Sequence, residues 1–405
     1  MNMNFIKGNS YRAFIFLALV SLGSGQNLFA QTGFLNSRDA YLGQPPPGDV
    51  PKVFAPGLLT GSGAFSTNRT AISADGREIY YCTNTSWASN KNLKVKYFKY
   101  DGGKWKGPVI LNEHLGSPSF SPDNNTLYFC GKPGIILKSS RKSNGWSPPA
   151  KYLGRNYMVY DFMTTRSGNK YIGSNGTWGK PSDGDAWKFS VMPPSNADTS
   201  IRNLGVPLNS PGFNGDFFVA QDESYMIIST KETNDFACEL YISFHKKDNS
   251  WTNPKSLGPM INDGVAHRFG QYVSPDGKYL FYTRGAAEKD CAIYWVRFDG
   301  LLKKLRKTNF EPYVKHPVKD RTLKKGVEHK LKIPGDTFAD DDGINTLKYK
   351  ATLDNNHPLP DGLTFEPGRL MIKGLPGVRG SYKIKITATD TAKAAAACTF
   401  TLNIN

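Results

Sequence analysis

The 405-residue sequence has few histidines and cysteines. It contains 6 His and 5 Cys, and neither a CxxC pair nor a His/Cys spacing typical of zinc sites is present. Glycine-rich phosphate or dinucleotide loops and a serine nucleophile elbow are also missing, so ATP, NAD and acyl-transfer chemistry have no sequence support. The odd cysteine count permits at most two disulfides, and the pairing of Cys82, Cys130, Cys238 and Cys291 stays open.

Long apolar runs are also scarce, and the main one lies near the N-terminus. Lys7 and Arg12 precede the apolar residues 13–20, and small residues follow up to Ala30. This pattern predicts a secretory signal peptide over residues 1–30, and its apolar run is too short for a membrane anchor. No later segment is apolar enough to cross a bilayer. We therefore expect a periplasmic or secreted protein without a membrane span.

Acidic residues are outnumbered by basic ones. The formal net charge is +17, and it falls to +15 when Lys7 and Arg12 leave with the signal. A basic surface suits a polyanion such as an acidic polysaccharide or a nucleic acid. The charges are scattered rather than gathered in one run, which is equally typical of an ordinary solvated surface. Export argues against nucleic acid as a partner.

Turn residues are abundant, with 40 Gly and 26 Pro, and they build a repeated hairpin. In the clearest copy, residues 271–283, the turn Pro275-Asp276-Gly277 separates two alternating strands. Pro presets φ for the turn, Asp bonds its own backbone, and Gly accepts a positive φ. Four more copies lie upstream, at residues 69–81, 118–129, 162–172 and 217–228.

A third alternating strand follows each hairpin, and a Trp-x-x-Pro segment, at Trp105, Trp146 or Trp251, then predicts a fourth strand in three copies. Four antiparallel strands in roughly 50 residues make a unit the size of a propeller blade. The last copy lacks its fourth strand, and we expect residues 51–59 to supply it and close the ring. The sequence thus predicts an all-β fold with a five-bladed β-propeller over residues 41–312, six blades being the alternative.

The composition changes after Pro312, where six or seven short alternating segments are separated by turn residues. They predict a small β-sandwich over residues 313–405. Asp340, Asp341 and Asp342 offer hard oxygen ligands for Ca²⁺ at a turn of this module, although a solvated turn needs no metal. No other cofactor is expected.

Both regions resemble known families. The segment SPDGKYLF at residues 274–281, followed by residues 293–296 and 301–305, is similar to the WD40-like propeller repeats of the TolB type in exported bacterial proteins. Residues 338–343, 359–365, 372–376 and 387–390 are similar to the cadherin-like, immunoglobulin-like modules of bacterial surface and exported proteins, which usually act as spacers or adhesion units. The propeller resemblance implies a fold and no single activity, because such proteins include partner-binding proteins, sugar-binding proteins and polysaccharide lyases.

Propeller geometry predicts which side chains share one mouth, at the end of the ring where each first strand begins. Aligning the repeats brings these candidates to that mouth: Arg69, Trp87, His114, Asp161, Trp178, Asp216, His267, Arg268 and Gln271. Trp87 and Trp178 stand in long loops and offer flat rings of the kind that stack on sugars. In the alternative interpretation Asp161 and Asp216 bridge inner strands, His267 is a surface loop residue, and the loop tryptophans pack on their own sheets.

Three functions fit this mouth. The first is binding of an anionic or neutral glycan, with the sandwich as a spacer. The second is a polysaccharide lyase or hydrolase in which His267 or His114 is the base and Asp161 and Asp216 form an acid–base pair or part of a cation site. In this reaction Arg69 or Arg268 would neutralise the carboxylate of a uronate. His267-x-x-x-Gln271 resembles the metal-ligating His and Gln of propeller oligogalacturonate lyases, but the other His ligands of that pattern have no counterpart. The third is a protein-binding scaffold in an envelope assembly, of open oligomeric state.

Overall fold

The computed structural model describes residues 33–60, 63–87, 89–131, 135–154, 159–174, 188–194, 202–209, 216–230, 237–343 and 346–405. These residues form an all-β protein, as predicted, with one short α-helix at Asp299–Leu305. The predicted signal peptide and Trp178 lie outside the described residues. No helix within the described ranges is long and apolar enough to span a bilayer.

Five antiparallel sheets, numbered 1 to 5 here, occupy the described residues up to Arg297. In each of sheets 1 to 4 the strands pair in chain order, so that every sheet is a meander. The strands of sheet 1 are Phe65–Ile72, Glu78–Asn84, Lys94–Asp101 and Lys104–Glu113, and those of sheet 2 are Gly116–Phe120, Thr126–Cys130, Ile135–Lys142 and Ala150–Gly154, with the short strand Gly145–Trp146 also paired to the third. The strands of sheet 3 are Val159–Thr164, Lys170–Ser174, Lys188–Met192 and Arg202–Asn203, and those of sheet 4 are Phe217–Val219, Tyr225–Thr230, Glu239–Phe244 and Lys255–Ser256. The strands of sheet 5 are His267–Val273, Tyr279–Gly285, Ala292–Arg297 and Lys52–Val53.

The sheets follow one another around a closed ring. The first strand of each sheet contacts the first strand of the next, and the first strand of sheet 5 contacts that of sheet 1. The first strands therefore line the centre of the ring. We call the end where the first strands begin the loop end, and the end with the tight turns between first and second strands the turn end.

The tight turn that connects the two strands of each hairpin is stabilised by the residues that the sequence places there. In sheet 5 the Asp276 carboxylate accepts hydrogen bonds from the Ser274 hydroxyl, at 2.6 Å, and from the Lys278 backbone N–H, at 3.2 Å. Gly277 follows with φ +71°, a conformation that costs glycine nothing. In sheets 2 and 4 this place is taken by Asn124 and Glu223, both at φ +59°.

The N-terminal segment closes the ring, as the sequence predicts. Lys52 pairs with Trp295 and Val53 with Tyr294, so the missing fourth strand of sheet 5 comes from the start of the chain. Tyr41 and Phe54 are buried against the Trp295 ring, with centroid distances of 5.6 and 5.1 Å. An apolar core thus covers the junction between the last sheet and the first.

The tryptophans of the Trp-x-x-Pro segments pack between elements. Trp146 donates from Nε1 to the Tyr80 hydroxyl of sheet 1 at 2.8 Å, and Trp251 packs edge-on against Tyr171 of sheet 3 at 6.5 Å. One detail of the prediction is wrong: Trp251 forms only an isolated bridge with His245, and the fourth strand of sheet 4 begins four residues later, at Lys255. The chain reverses at residues 246–250, directly before Trp251.

The region after Pro312 builds a second core of its own. Two sheets share it: the first has the strands Arg321–Leu323, Ala395–Ile404, Gly380–Thr389 and Lys348–Leu353, and the second has His329–Lys332, Met371–Gly374 and Leu363–Glu366. A short pair, Tyr313–Val314 with Phe338–Ala339, adjoins them. Ile384, Ile386 and Leu402 are fully buried between the two sheets, as period-two alternation requires.

Candidate functional site

The first strands do not run straight through the ring, because most of them carry a bulge near the loop end. The register shifts between Thr67 and Ala71 in sheet 1 and between Phe269 and Tyr272 in sheet 5, and sheets 2 and 3 show the same irregularity. Bulges re-aim side chains and raise local twist. Here they turn charged and amide side chains toward the centre of the ring, which the uniform alternation of the sequence does not reveal.

Arg69 spans this centre. Its guanidinium forms an ion pair with Asp161 of sheet 3, and both side chains are only 1% exposed. The same group donates to the carbonyl oxygens of Phe162, at 3.2 Å from Nη1, and of Phe217 in sheet 4. The structure brings Arg69 and Asp161 together, but it seals them inside, where they link three sheets instead of facing a ligand.

Asp216 and Gln271 extend this buried network to sheet 5. The Asp216 carboxylate accepts from the backbone N–H of Gly270 at 2.8 Å. Gln271, with no exposed surface, donates from Nε2 to the carbonyl oxygens of Asp216 and Ile227. The Gln271 amide nitrogen is thus occupied by backbone groups, while its Oε1, the atom that would ligate a metal, is buried without a hydrogen-bond partner.

Electrostatics at the centre follow from burial. Desolvation raises the pKa of Asp161 and of Asp216, while the positive charge of Arg69 opposes both shifts. Burial also raises the pKa of the nearby Cys130 thiol well above its usual range and the pKa of Cys82 to about 12. These thiols are therefore protonated at neutral pH and are poor nucleophiles. All five cysteines are described, and none forms a disulfide.

Arg268 has a structural role in the loop that links sheets 4 and 5. Its guanidinium donates to the carbonyl oxygen of Ile261 at 2.8 Å and to those of Cys238 and Ala266 at 3.2 Å. It also binds the backbone and the carboxylate of Asp263. Since the side chain is only 1% exposed, the prediction that it meets a ligand directly is corrected: Arg268 holds this loop in shape.

Two predicted residues do meet near the surface of the loop end. The rings of Trp87, from the loop after the second strand of sheet 1, and His267, at the start of sheet 5, are 5.8 Å apart. Phe269 packs on His267 at 4.5 Å, and Phe65 meets Trp87 edge-on at 6.4 Å. We call these four residues the aromatic patch. Trp87 and His267 are partly exposed.

The loop that carries Trp87 is anchored across the junction of sheets 1 and 5. The Glu288 carboxylate, in the short 3₁₀ helix Glu288–Asp290, accepts from the Trp87 backbone N–H at 2.5 Å and from the Ser86 hydroxyl at 3.1 Å. His267 is held on its other side, with Nδ1 3.3 Å from the Cys238 sulfur. His114 is exposed after the last strand of sheet 1, where its Nδ1 lies 3.4 Å from the Asn90 carbonyl oxygen.

The three consecutive aspartates of the C-terminal module have partners within the protein. Asp341, whose side chain is 3% exposed, accepts from Lys246 Nζ at 2.8 Å and from the Asn253 backbone N–H at 2.7 Å. Asp340 accepts from the Asp342 backbone N–H at 2.8 Å. Within the described ranges no group of three or more His, Cys, Asp or Glu side chains is placed to hold a metal ion.

Asp341 and Asp342 instead fasten the C-terminal module to the ring. Lys246 and Asn253 lie between the third and fourth strands of sheet 4, and Asp342 accepts from the backbone N–H of Phe310, in the linker, at 2.6 Å. Asn309 donates to Asp390 of the module at 2.7 Å. The acidic turn is thus an interdomain clasp.

Replacing Asp341 by alanine is expected to loosen this clasp. The change removes two hydrogen bonds and leaves the partly buried N–H of Asn253 without its partner, a loss of about 1–3 kcal/mol. Trypsin cleavage after Arg306 or Lys307, in the linker, is therefore expected to become about tenfold faster in the full-length chain. Asp336→Ala, which removes an exposed pair with His316 (64% and 57% exposed side chains) in the same module, is the control. Equal cleavage rates for the two variants would contradict the clasp.

Comparison with known proteins gives a partial assignment. Residues 311–405 match the family model described as "Putative Ig domain". No curated protein sequence matches the chain. Among solved structures, TolB from Acinetobacter baumannii shows 13% identity and a TM-score of 0.35, with 56% of this chain and 53% of that chain covered.

Two further structural likenesses come from Bacteroides. The extracellular domain of a "putative hybrid two component system" from B. thetaiotaomicron shows 9% identity and a TM-score of 0.33, covering 81% of this chain and 43% of that one. A "putative alpha-galactosidase/melibiase" from Bacteroides fragilis shows 21% identity and a TM-score of 0.19 over 24% of this chain and 18% of that one. The chain thus spans less than a fifth of the galactosidase and about half of TolB.

Proposed function

We propose that this chain is an exported five-bladed β-propeller with a C-terminal β-sandwich, and that it binds carbohydrate on the aromatic patch at its loop end. One observation carries the proposal: the flat rings of Trp87 and His267, from two different sheets, meet near the surface. Tryptophan presents a large rigid apolar face, which matches the apolar faces of sugar rings. Cross-sheet anchoring by Glu288 holds the patch in place.

Charge favours an acidic glycan among the possible carbohydrates. The formal net charge of the full sequence is +17, and a basic protein attracts polyanions at long range. The predicted signal peptide would take the protein to compartments where such polysaccharides occur. We favour binding over a lyase or hydrolase activity at this mouth. The carboxylate oxygens of Asp161 and Asp216 already accept hydrogen bonds from Arg69 and from backbone N–H groups inside the ring.

Replacing Trp87 by alanine is expected to weaken glycan binding by about 30-fold, which is the usual effect of truncating a central tryptophan contact. Trp87→Phe keeps a flat ring and should retain part of the affinity. The measurement is a glycan array carrying pectate, alginate and sulfated glycans, probed with the mature chain and followed by titration of the best ligand.

Trp105→Phe is the matched control, because Trp105 lies on the outer strand of sheet 1 and donates to the Asp39 carbonyl oxygen. Its glycan profile should equal that of the wild type. Identical profiles for wild type and Trp87→Ala, or no retained glycan at all, would rule the proposal out. Formation of an unsaturated, ultraviolet-absorbing product would instead identify a lyase, and co-purification of an envelope protein without glycan binding would identify a scaffold.

A further inference from the structure

A recess in the seam between sheets 4 and 5 shares no lining residue with the aromatic patch. It has a volume of about 190 Å³, and its apolar wall is formed by Val50, Pro51, Pro259 and Met260. Val50 and Met260 are 58% and 51% exposed. The recess therefore opens to solvent between the N-terminal segment and the link from sheet 4 to sheet 5.

The opposite wall carries polar groups that have no partner inside the protein. Tyr282 lines the recess and is only 1% exposed, yet its hydroxyl makes no hydrogen bond. The Nε of Arg284, two residues along the same strand, is also buried without a partner. Buried polar atoms are nearly always satisfied in proteins. An acceptor seated in the recess would give both donors the partner that the described residues do not supply.

The charges around the recess favour a negatively charged acceptor. Asp263 lies 3.1 Å from Nη2 of Arg284 and 3.2 Å from Nη2 of Arg268, so two guanidinium groups share a single carboxylate. The Arg284 guanidinium also stacks over the Tyr294 ring, 5.4 Å from its centroid, and this contact holds it against the wall. The result is a fixed local excess of positive charge with a free N–H.

We propose that this recess binds the carboxylate of a small ligand, which accepts hydrogen bonds from the Tyr282 hydroxyl and from Arg284 Nε. The apolar part of the ligand would lie against Met260 and Pro259. The volume is equivalent to about six liquid water molecules, which limits the occupant to the size of one sugar or one amino acid. An acidic sugar unit and the C-terminal carboxylate of a peptide share this chemistry. The site is independent of the aromatic patch and goes beyond the carbohydrate binding proposed there.

The test is calorimetric titration of the full chain with two matched pairs of probes. D-galacturonate and D-galactose differ in their carboxylate, as do N-acetylalanine and N-acetylalaninamide. We expect saturable binding of at least one carboxylate and none of its neutral counterpart, and the pair that binds identifies the source of the ligand. Tyr282→Phe should weaken that binding at least about tenfold, because a hydrogen bond to a charged group is lost.

Tyr81→Phe is the matched control, since the Tyr81 hydroxyl is also buried without a partner but lies outside the recess. Both substitutions remove one oxygen and keep the ring, so both variants should remain folded. The proposal is overturned if no carboxylate probe binds, if the neutral probes bind equally well, or if Tyr282→Phe binds like the wild type. Trp87→Ala should leave this binding unchanged, which separates the two sites.

Discussion

Arg69→Met is expected to lower the free energy of unfolding by about 3–5 kcal/mol, the usual cost of removing one partner of a buried ion pair. The methionine fills similar space but leaves the Asp161 carboxylate, 1% exposed, without its counter-charge. The carbonyl oxygens of Phe162 and Phe217 also lose their donor. Urea denaturation of the full chain, followed by tryptophan fluorescence, measures the change.

The loss should depend on pH in a defined direction. Burial raises the pKa of Asp161 above its unfolded value, which is near 3.9. The folded state therefore binds more protons than the unfolded state between those two pKa values, and this group lowers stability as pH rises through that window. Without Arg69 the pKa of Asp161 rises further, so the window extends upward. The penalty of Arg69→Met should be smaller at about pH 5 than at about pH 8.

Lys106→Met is the control for loss of a positive charge. Lys106 pairs with Asp101 on the surface, with side chains 52% and 58% exposed, and such pairs contribute about 0–1 kcal/mol. A double variant that joins Arg69→Met to Asp161→Leu removes both charges and should be more stable than Arg69→Met alone. Equal costs for Arg69→Met and Lys106→Met would refute a buried, strand-linking role.

The repeated hairpins could be predicted from sequence because their cause is local. Asp276 bonds the backbone within two residues of itself, and Gly277 takes a positive φ, so both features can be inferred from the letters. Pairing of Lys52 with Trp295 was also predictable. The last repeat lacks a fourth strand, and residues 51–59 resemble the fourth strand of another repeat. Strand pairing between distant segments can be predicted from sequence only when a repeat shows that one of its strands is missing.

The site was less predictable because burial at the centre of a ring is not a local property. Aligning the repeats placed Arg69, Asp161 and Asp216 at one matching position, but it could not show that the bulged first strands enclose them. Tyr282 was overlooked for a related reason. A tyrosine in an alternating strand normally indicates core, and only the surrounding packing shows that Tyr282 borders a recess and that its hydroxyl is buried without a partner.

Gly270→Ala is expected to cost about 2–5 kcal/mol, because it combines two penalties at the ring closure. Gly270 has φ +62°, and a Cβ there would lie 2.2 Å from the carbonyl oxygen of Asn68 in sheet 1. The left-handed conformation costs an alanine about 1–2 kcal/mol, and overpacking against rigid backbone adds about 1–3 kcal/mol. The backbone N–H that binds Asp216 would move with the chain.

Gly277→Ala separates these two penalties. Gly277 has φ +71°, but no atom lies within 4 Å of the position of its Cβ, so only the conformational cost of about 1–2 kcal/mol applies. The two substitutions are chemically identical and both lie in sheet 5 or its hairpin turn. A larger loss for Gly270→Ala, measured by the same urea denaturation, therefore reports the close approach of sheets 5 and 1. Equal losses would mean that the backbones do not touch there, and the ring would not be closed at its first strands.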